Sequence, residues 1–326
     1  MLIDCQSHVF PQAFAELLTR SDGPVRAVED GDGYTVLYGD VQRFRLAPSA
    51  YDPQKKIADM DRTGIDVSVV SVNIPGPDML PTELGIEGAR ICNDYIADLC
   101  SRHPRRFAGF ASLPLQDMDA ALNELDRAIR TNDLRGVMLF SHINNKPVDS
   151  PDFEPFYQEV ERQGIPLIVH PTVPPWGSYI KEYSMIPMFG LMVDTSIAVL
   201  RLILGGVLER HPNLIVVHPH CGGVIPYLMP RIEEQTEVKR RGRDNITKAP
   251  GEYYKNIYLD VVSPSSQAMN YVLDFAGPDR LLFGSDHPWV KMESLLACVE
   301  EMDLSEEDKD KILYKNAASL FGIAVE

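Results

Sequence analysis

Eight apolar runs, each short enough for a strand, recur along the chain, and stretches of helical character separate them. They are Ile3 to Pro11, Val67 to Val72, Phe107 to Leu113, Gly136 to Phe140, Pro166 to His170, Leu214 to His218, Ile257 to Val261 and Arg280 to Gly284. A strand that is apolar throughout, rather than at alternate positions, is buried on both faces, as in a parallel sheet covered by helices. Eight of them alternating with helices predict an α/β protein of the (β/α)8 TIM-barrel type, and a chain of 326 residues fits one such domain, 1–326. An open doubly wound sheet would want a glycine-rich phosphate loop after its first strand, yet Asp4 to Pro11 contains no glycine. One interruption is expected. Between residues 25 and 46, β-prone runs separated by Asp-Gly and Gly-Asp pairs predict a small antiparallel insertion after the first strand.

The net charge of −16 argues against nucleic acid as a partner, which needs a basic face. The short basic cluster Lys239-Arg240-Arg241-Gly242-Arg243 reads as a solvated loop. No apolar run approaches the ~20 residues of a membrane span, so no membrane is expected. Five cysteines, odd in number and without C-x-x-C spacing, suggest neither a disulfide framework nor a zinc knuckle. Together with an N-terminus that begins directly in a strand, they place the chain in the cytoplasm.

In a barrel of this kind chemistry sits at the C-terminal ends of the strands. Six of the eight histidines fall there: His8, His142, His170, His218, His220 and His287. Singly, each reads as a hydrogen-bonded loop residue. Together with Asp286 they form a ligand repertoire suited to Zn²⁺, Mn²⁺ or Fe²⁺. The other two, His103 and His211, stand in Arg-His-Pro helix terminations and carry no expected chemistry. Gly222-Gly223 would let backbone approach a substrate beside His220. Cys221 has no adjacent basic partner to activate it.

Ordered segments across the chain match a known pattern: Asp4-Cys5-Gln6-Ser7-His8, Met60-Asp61-Arg62-Thr63-Gly64, Arg105-Arg106-Phe107-Ala108-Gly109, Val169-His170-Pro171, His220-Cys221-Gly222-Gly223 and Phe283-Gly284-Ser285-Asp286. In these the chain resembles the amidohydrolase superfamily, in the branch of aminocarboxymuconate-semialdehyde decarboxylase. The resemblance implies one divalent metal ion, Zn²⁺ in first place and Mn²⁺ in second, held by His8, His170 and Asp286. It implies His220 as general acid/base, with Asp286 also catalytic, and a homodimer. Two departures stand out. Gln6 occupies a ligand position filled in relatives by His or Glu, and Lys56 stands where the decarboxylase has an arginine for the substrate carboxylate.

These residues fit a metal-dependent decarboxylase of a small aromatic or unsaturated carboxylic acid, with Lys56, Asn73, His142, Trp176 and Trp289 as pocket candidates. They also fit a hydrolase of an ester, lactone or amide, in which Asp286 takes a proton from water and His220 polarises the carbonyl. A third reading, a metal-free enzyme or binding protein, follows if Gln6 abolishes the site.

Overall fold

The computed structural model describes residues 1–325. In chain order its strands are β1 (Ile3–Val9), β2 (Val25–Asp30), β3 (Gly33–Tyr38), β4 (Gln42–Leu46), β5 (Val67–Val72), β6 (Phe107–Gly109), β7 (Val137–Phe140), β8 (His142–Ile143), β9 (Lys146–Pro147), β10 (Leu167–His170), β11 (Val216–His218), β12 (Tyr258–Asp260) and β13 (Leu281–Leu282). Each of the eight apolar runs contributes one parallel strand, namely β1, β5, β6, β7 and β10 to β13. Every residue of β1, β5, β7 and β10 is buried, which is why these segments carry no polar alternation.

The expected single closed ladder is split. Hydrogen bonding gives one sheet of order β1-β5-β6 and another of order β13-β12-β11-β10-β7. Isolated parallel bridges span the two seams, Ser7 with His287 and Ala111 with Val137. Local irregularity accounts for the breaks. β13 is only two residues long, and the register of β1 against β5 shifts between Asp4 and Ser7, a bulge of the kind that re-aims side chains next to functional sites.

β2, β3 and β4 form a separate antiparallel sheet in which Val25, Ala27, Val36, Tyr38 and Leu46 turn inward. The two-residue ladder of β8 with β9 was not expected, since strands that short leave no periodicity in sequence.

Helices occupy the connections between parallel strands. That at Pro53–Thr63, which faces the site described below, starts where the Asp52 side chain accepts from Gln54 N and ends at Gly64, whose φ of 75° suits glycine. Between β10 and β11, Glu182–Leu204 is apolar and long enough by composition to cross a membrane, contrary to the expectation of no such run. Half of its apolar window is buried inside the protein, and Ala198, Val199, Leu202 and Ile203 belong to the core.

Candidate metal centre

β1, β10 and β13 carry three side chains to one point. His8 lies near the end of β1, His170 ends β10, and Asp286 follows β13 with a left-handed φ of 53°. One ligand atom from each lies within 4.8 Å of the other two. His8 Nε2 is 3.1 Å from Asp286 Oδ1 and 3.3 Å from His170 Nε2.

Hydrogen bonds on the far sides of the rings fix what these short distances mean. His170 Nδ1 is 2.8 Å from the Pro171 carbonyl, which can only accept, so the ring proton sits on Nδ1. His8 Nδ1 is 3.1 Å from Ser71 Oγ, whose own proton goes to the Ser7 carbonyl at 3.4 Å, so His8 also donates through Nδ1. Both Nε2 atoms therefore present lone pairs to one another and to a carboxylate oxygen. Three acceptors this close repel unless a cation or a shared proton lies among them. Burial, reinforced by His8 and His220, pushes His170 well below the ordinary imidazole value, which keeps its ring neutral. Burial would raise the Asp286 carboxyl, but the adjacent His220 and His8 outweigh it and hold Asp286 well below the usual carboxylate range. A neutral His170 imidazole, the His8 imidazole and an ionised carboxylate are a donor set for Zn²⁺ or Mn²⁺.

Gln6 reaches the same point. Its Nε2 is 3.4 Å from Asp286 Oδ1, while its Oε1 is buried without a hydrogen-bond partner. An orphaned carboxamide oxygen beside this cluster fits a neutral fourth donor to a cation.

His220 stands behind Asp286, with Nε2 3.7 Å from Oδ2. Its backbone is left-handed, φ 57° and ψ 53°, a conformation unusual outside glycine. The buried Asp260 carboxylate holds it there by accepting from His220 N at 2.6 Å. Burial alone would lower the His220 imidazole, but the nearby Asp286 carboxylate raises it above its ordinary value.

The remaining strand-end histidines bond elsewhere, though the buried Nε2 of His218 has no partner among the described residues. His142 donates from Nε2 to Val173 O at 2.9 Å and accepts at Nδ1 from Asn145 N at 3.1 Å, so it offers a substrate nothing. His218 Nδ1 is 2.8 Å from Tyr254 Oη. His287 stands between Lys56 Nζ, 3.1 Å from Nδ1, and Asp59 Oδ2, 3.1 Å from Nε2.

Among the pocket candidates, Lys56 is placed differently from expectation. It is buried and bonds to Ser7 Oγ, His8 O and His287 Nδ1. Burial brings its amine down to about 8 against the attraction of Asp4, Asp59 and Asp286. A cavity of about 300 Å³ reaches Lys56, His287 and His8 from the side of helix Pro53–Thr63. Trp289 is half exposed, its ring edge-on to Phe10 at 5.8 Å and to Phe44 of β4 at 5.7 Å, so it joins the inserted sheet to the strand ends. Trp176 is half-buried after β10, and Asn73 is buried after β5.

Three residues escaped the sequence reading. Asp4 is fully buried and accepts from Ser285 N at 2.9 Å and Ser285 Oγ at 2.7 Å, tying β1 to the loop that bears Asp286. Asp260 was visible only as the acidic end of an apolar run. Asp78, after β5, is buried with neither carboxylate oxygen bonded, and burial pushes it up to about 8.

With the geometry established, likeness to known proteins can be weighed. The chain is 28% identical to 2-amino-3-carboxymuconate-6-semialdehyde decarboxylase of Dictyostelium discoideum, covering 98% of this chain and 91% of that protein. It is 32% identical to gamma-resorcylate decarboxylase of Rhizobium radiobacter, covering 80% of this chain and 84% of that protein. Among solved structures, dihydroxybenzoic acid decarboxylase from Polaromonas sp. JS666, with bound manganese and the inhibitor 2-nitroresorcinol, superposes with a TM-score of 0.84 at 25% identity, covering 100% of this chain and 98% of that one. The family model described as Amidohydrolase matches residues 3–323, and the chain belongs to that family.

Proposed function

We propose that this protein is a metal-dependent carboxy-lyase that removes CO₂ from a small aromatic carboxylic acid, with Zn²⁺ or Mn²⁺ at His8, His170, Asp286 and Gln6. The observation that carries this reading is the convergence of unprotonated His8 Nε2, His170 Nε2 and Asp286 Oδ1, with His220 beside them. Its relatives' named substrates, a resorcylate and a carboxymuconate semialdehyde, are both unsaturated acids. The finer fold reading that goes with it is a (β/α)8 barrel carrying residues 25–46 as an insertion, assembled as a homodimer.

A bound divalent cation supplies Lewis-acid attraction for substrate oxygens and for charge developing on the ring. The protein's own groups handle the proton. Asp286, as a ligand, makes a poor donor, whereas His220, 3.7 Å from it and outside the ligand set, stands where it can hold a proton and hand it on. His220 delivers it to the ring carbon that bears the carboxylate. The bond from that carbon to the carboxylate then breaks, its electron pair returns to the ring, and CO₂ departs. One proton is taken from solvent per turnover, and no water is consumed. The strained backbone at His220, braced by Asp260, fixes the ring's approach.

The test is product analysis. Protein loaded with one equivalent of Mn²⁺ or Zn²⁺ is incubated with 2,6-dihydroxybenzoate and related hydroxybenzoates, and headspace CO₂ is measured with the arene product. Stoichiometric CO₂ supports the lyase. Release of an acid from esters or lactones, with no CO₂ from any carboxylate, would establish the hydrolase instead.

A further inference from the structure

The ligand set straddles a seam. Gln6 and His8 belong to β1, Asp286 follows β13, and those strands meet through the isolated Ser7–His287 bridge rather than a continuous ladder. Single backbone bonds add to it, including His8 N to His287 O at 2.8 Å and Asp286 N to Gln6 O at 2.9 Å. Cys5 N to Phe283 O at 2.8 Å and the bonds of Ser285 to Asp4 hold the seam on the core side of the ligands.

Helix Pro53–Thr63 adds a brace on the far side of them. Lys56 Nζ bonds to Ser7 Oγ and to His8 O at 3.2 Å on one side of the seam, and to His287 Nδ1 at 3.1 Å on the other. Three residues along the same helix, Asp59 Oδ2 accepts from Nε2 of that imidazole at 3.1 Å, and Asp59 Oδ1 accepts from Arg62 Nη1 at 2.6 Å. The loop after β13 is thereby gripped at two points by one helix face. An ammonium group has three donors, and here all three are used. No donor remains for a substrate carboxylate.

We infer that Lys56, together with His287 and Asp59, is a positioning brace that sets the distance between the β1 ligands and Asp286, and that it makes no contact with substrate. This role rests on the metal site proposed above. It assigns Lys56 to cation affinity, where the sequence resemblance assigned it to substrate recognition.

Lys56→Met keeps the length of the chain and removes the tripod. Partners of metal ligands typically govern affinity by about 10- to 100-fold. The expected result is a rise of that size in the Kd for Mn²⁺, read by chelator competition without substrate. At saturating Mn²⁺, the KM for the acid should stay within about twofold of the parent, since a side chain that touches only the strands bearing the ligands acts through the metal. Lys55→Met, on the exposed neighbour, should leave the Kd unchanged. An unchanged Kd with a raised KM would overturn the brace and make Lys56 a substrate contact; no change in either would overturn it as well. If Lys56→Met fails to fold, judged by circular dichroism, Asp59→Asn is read in its place: a raised Kd supports the brace and an unchanged one rejects it. A parent protein that takes up no divalent cation would remove the proposed function and the brace together. A parent that binds Mn²⁺ no more tightly than Lys56→Met removes the brace alone.

Discussion

Two buried histidine clusters at opposite ends of the strands solve the same problem differently. Beyond the helical turn Val207–Arg210, His211 is 2.9 Å from Glu161 Oε2 at Nδ1 and 2.9 Å from Glu154 Oε1 at Nε2, so each ring nitrogen faces a carboxylate. Asn213 N completes the nest by donating to Glu161 Oε1 at 2.8 Å. At the other end, His8 and His170 satisfy one nitrogen each and turn the other toward acceptors. The chemistry of the partners therefore separates a structural histidine from a ligand, where burial does not. A nest closed by donors and acceptors needs no ion, and one closed by acceptors alone calls for a cation or a proton.

The sharpest way to break this contrast is to delete a ring at each end. His170→Ala should abolish stoichiometric Mn²⁺ uptake, measured by elemental analysis after desalting, and take CO₂ release to background. The fold should survive, because the space is polar and edged by loops. A variant that still carries one equivalent of metal and still turns over would show that the acceptor cluster is not the site.

Asp78 offers a third solution to the same problem, protonation. Among the described residues its carboxyl has no hydrogen-bond partner, and burial raises it from the ordinary 3.8 to about 8. Over that interval the folded chain keeps the proton and the unfolded chain gives it up. Stability is therefore full below the ordinary value and is lost as pH rises toward about 8, by about 1.4 kcal/mol per pH unit at most. Asp78→Asn cannot ionise. Relative to the parent it should gain stability steadily between about pH 4 and pH 8 in urea titrations, on the order of 4 kcal/mol by neutrality. A parent-to-variant difference that stays flat with pH would mean that the carboxyl finds a partner in solution.

His211→Ala is the counterpart of the first deletion and should act on stability alone. It leaves Glu154 and Glu161 facing one another, partly exposed, at a cost of about 2 kcal/mol. Mn²⁺ affinity and decarboxylation should match the parent. A loss of metal in this variant would erase the distinction between the two ends.

Much of this arrangement was readable from sequence, and the parts that were not share a cause. The eight parallel strands were legible because apolar runs such as Val67–Val72 admit no other burial. That His8, His170 and Asp286 form one set was implied by the family resemblance, and the structure brings them together. What position at strand ends could not do by itself was separate these from His142, His218 and His287. Their partners, Val173 O, the Tyr254 hydroxyl and the Lys56 amine, lie 31, 36 and 231 residues away. The seam beside Ser7 was equally hidden, since a ladder breaks on the register of a few bonds and leaves no mark on composition. Asp260 and Asp78 lie inside or next to apolar stretches, where a lone acid looks like an incidental surface residue until its surroundings are known.

Gln6 lies between the two kinds of cluster and gives the finest test. Its carboxamide can present either a donor or an acceptor, and a half turn about its last bond exchanges them. With Nε2 toward Asp286 at 3.4 Å, it behaves as part of a hydrogen-bonded nest; with the buried, unpartnered Oε1 turned inward, it becomes a ligand. Gln6→Glu fixes the second state and adds a charge, so Mn²⁺ should bind about tenfold tighter, roughly 1.4 kcal/mol. Gln6→Leu should weaken binding by less than about tenfold, because a three-ligand site with two imidazoles and a carboxylate still holds a divalent ion. Chelator competition on the two variants gives the answer by sign. If Gln6→Glu binds more weakly than the parent while Gln6→Leu is neutral, the carboxamide faces away from the ion and serves Asp286 as a hydrogen-bond donor. The site is then a three-residue one, and the replacement of His or Glu by Gln at position 6 has removed a ligand instead of softening it.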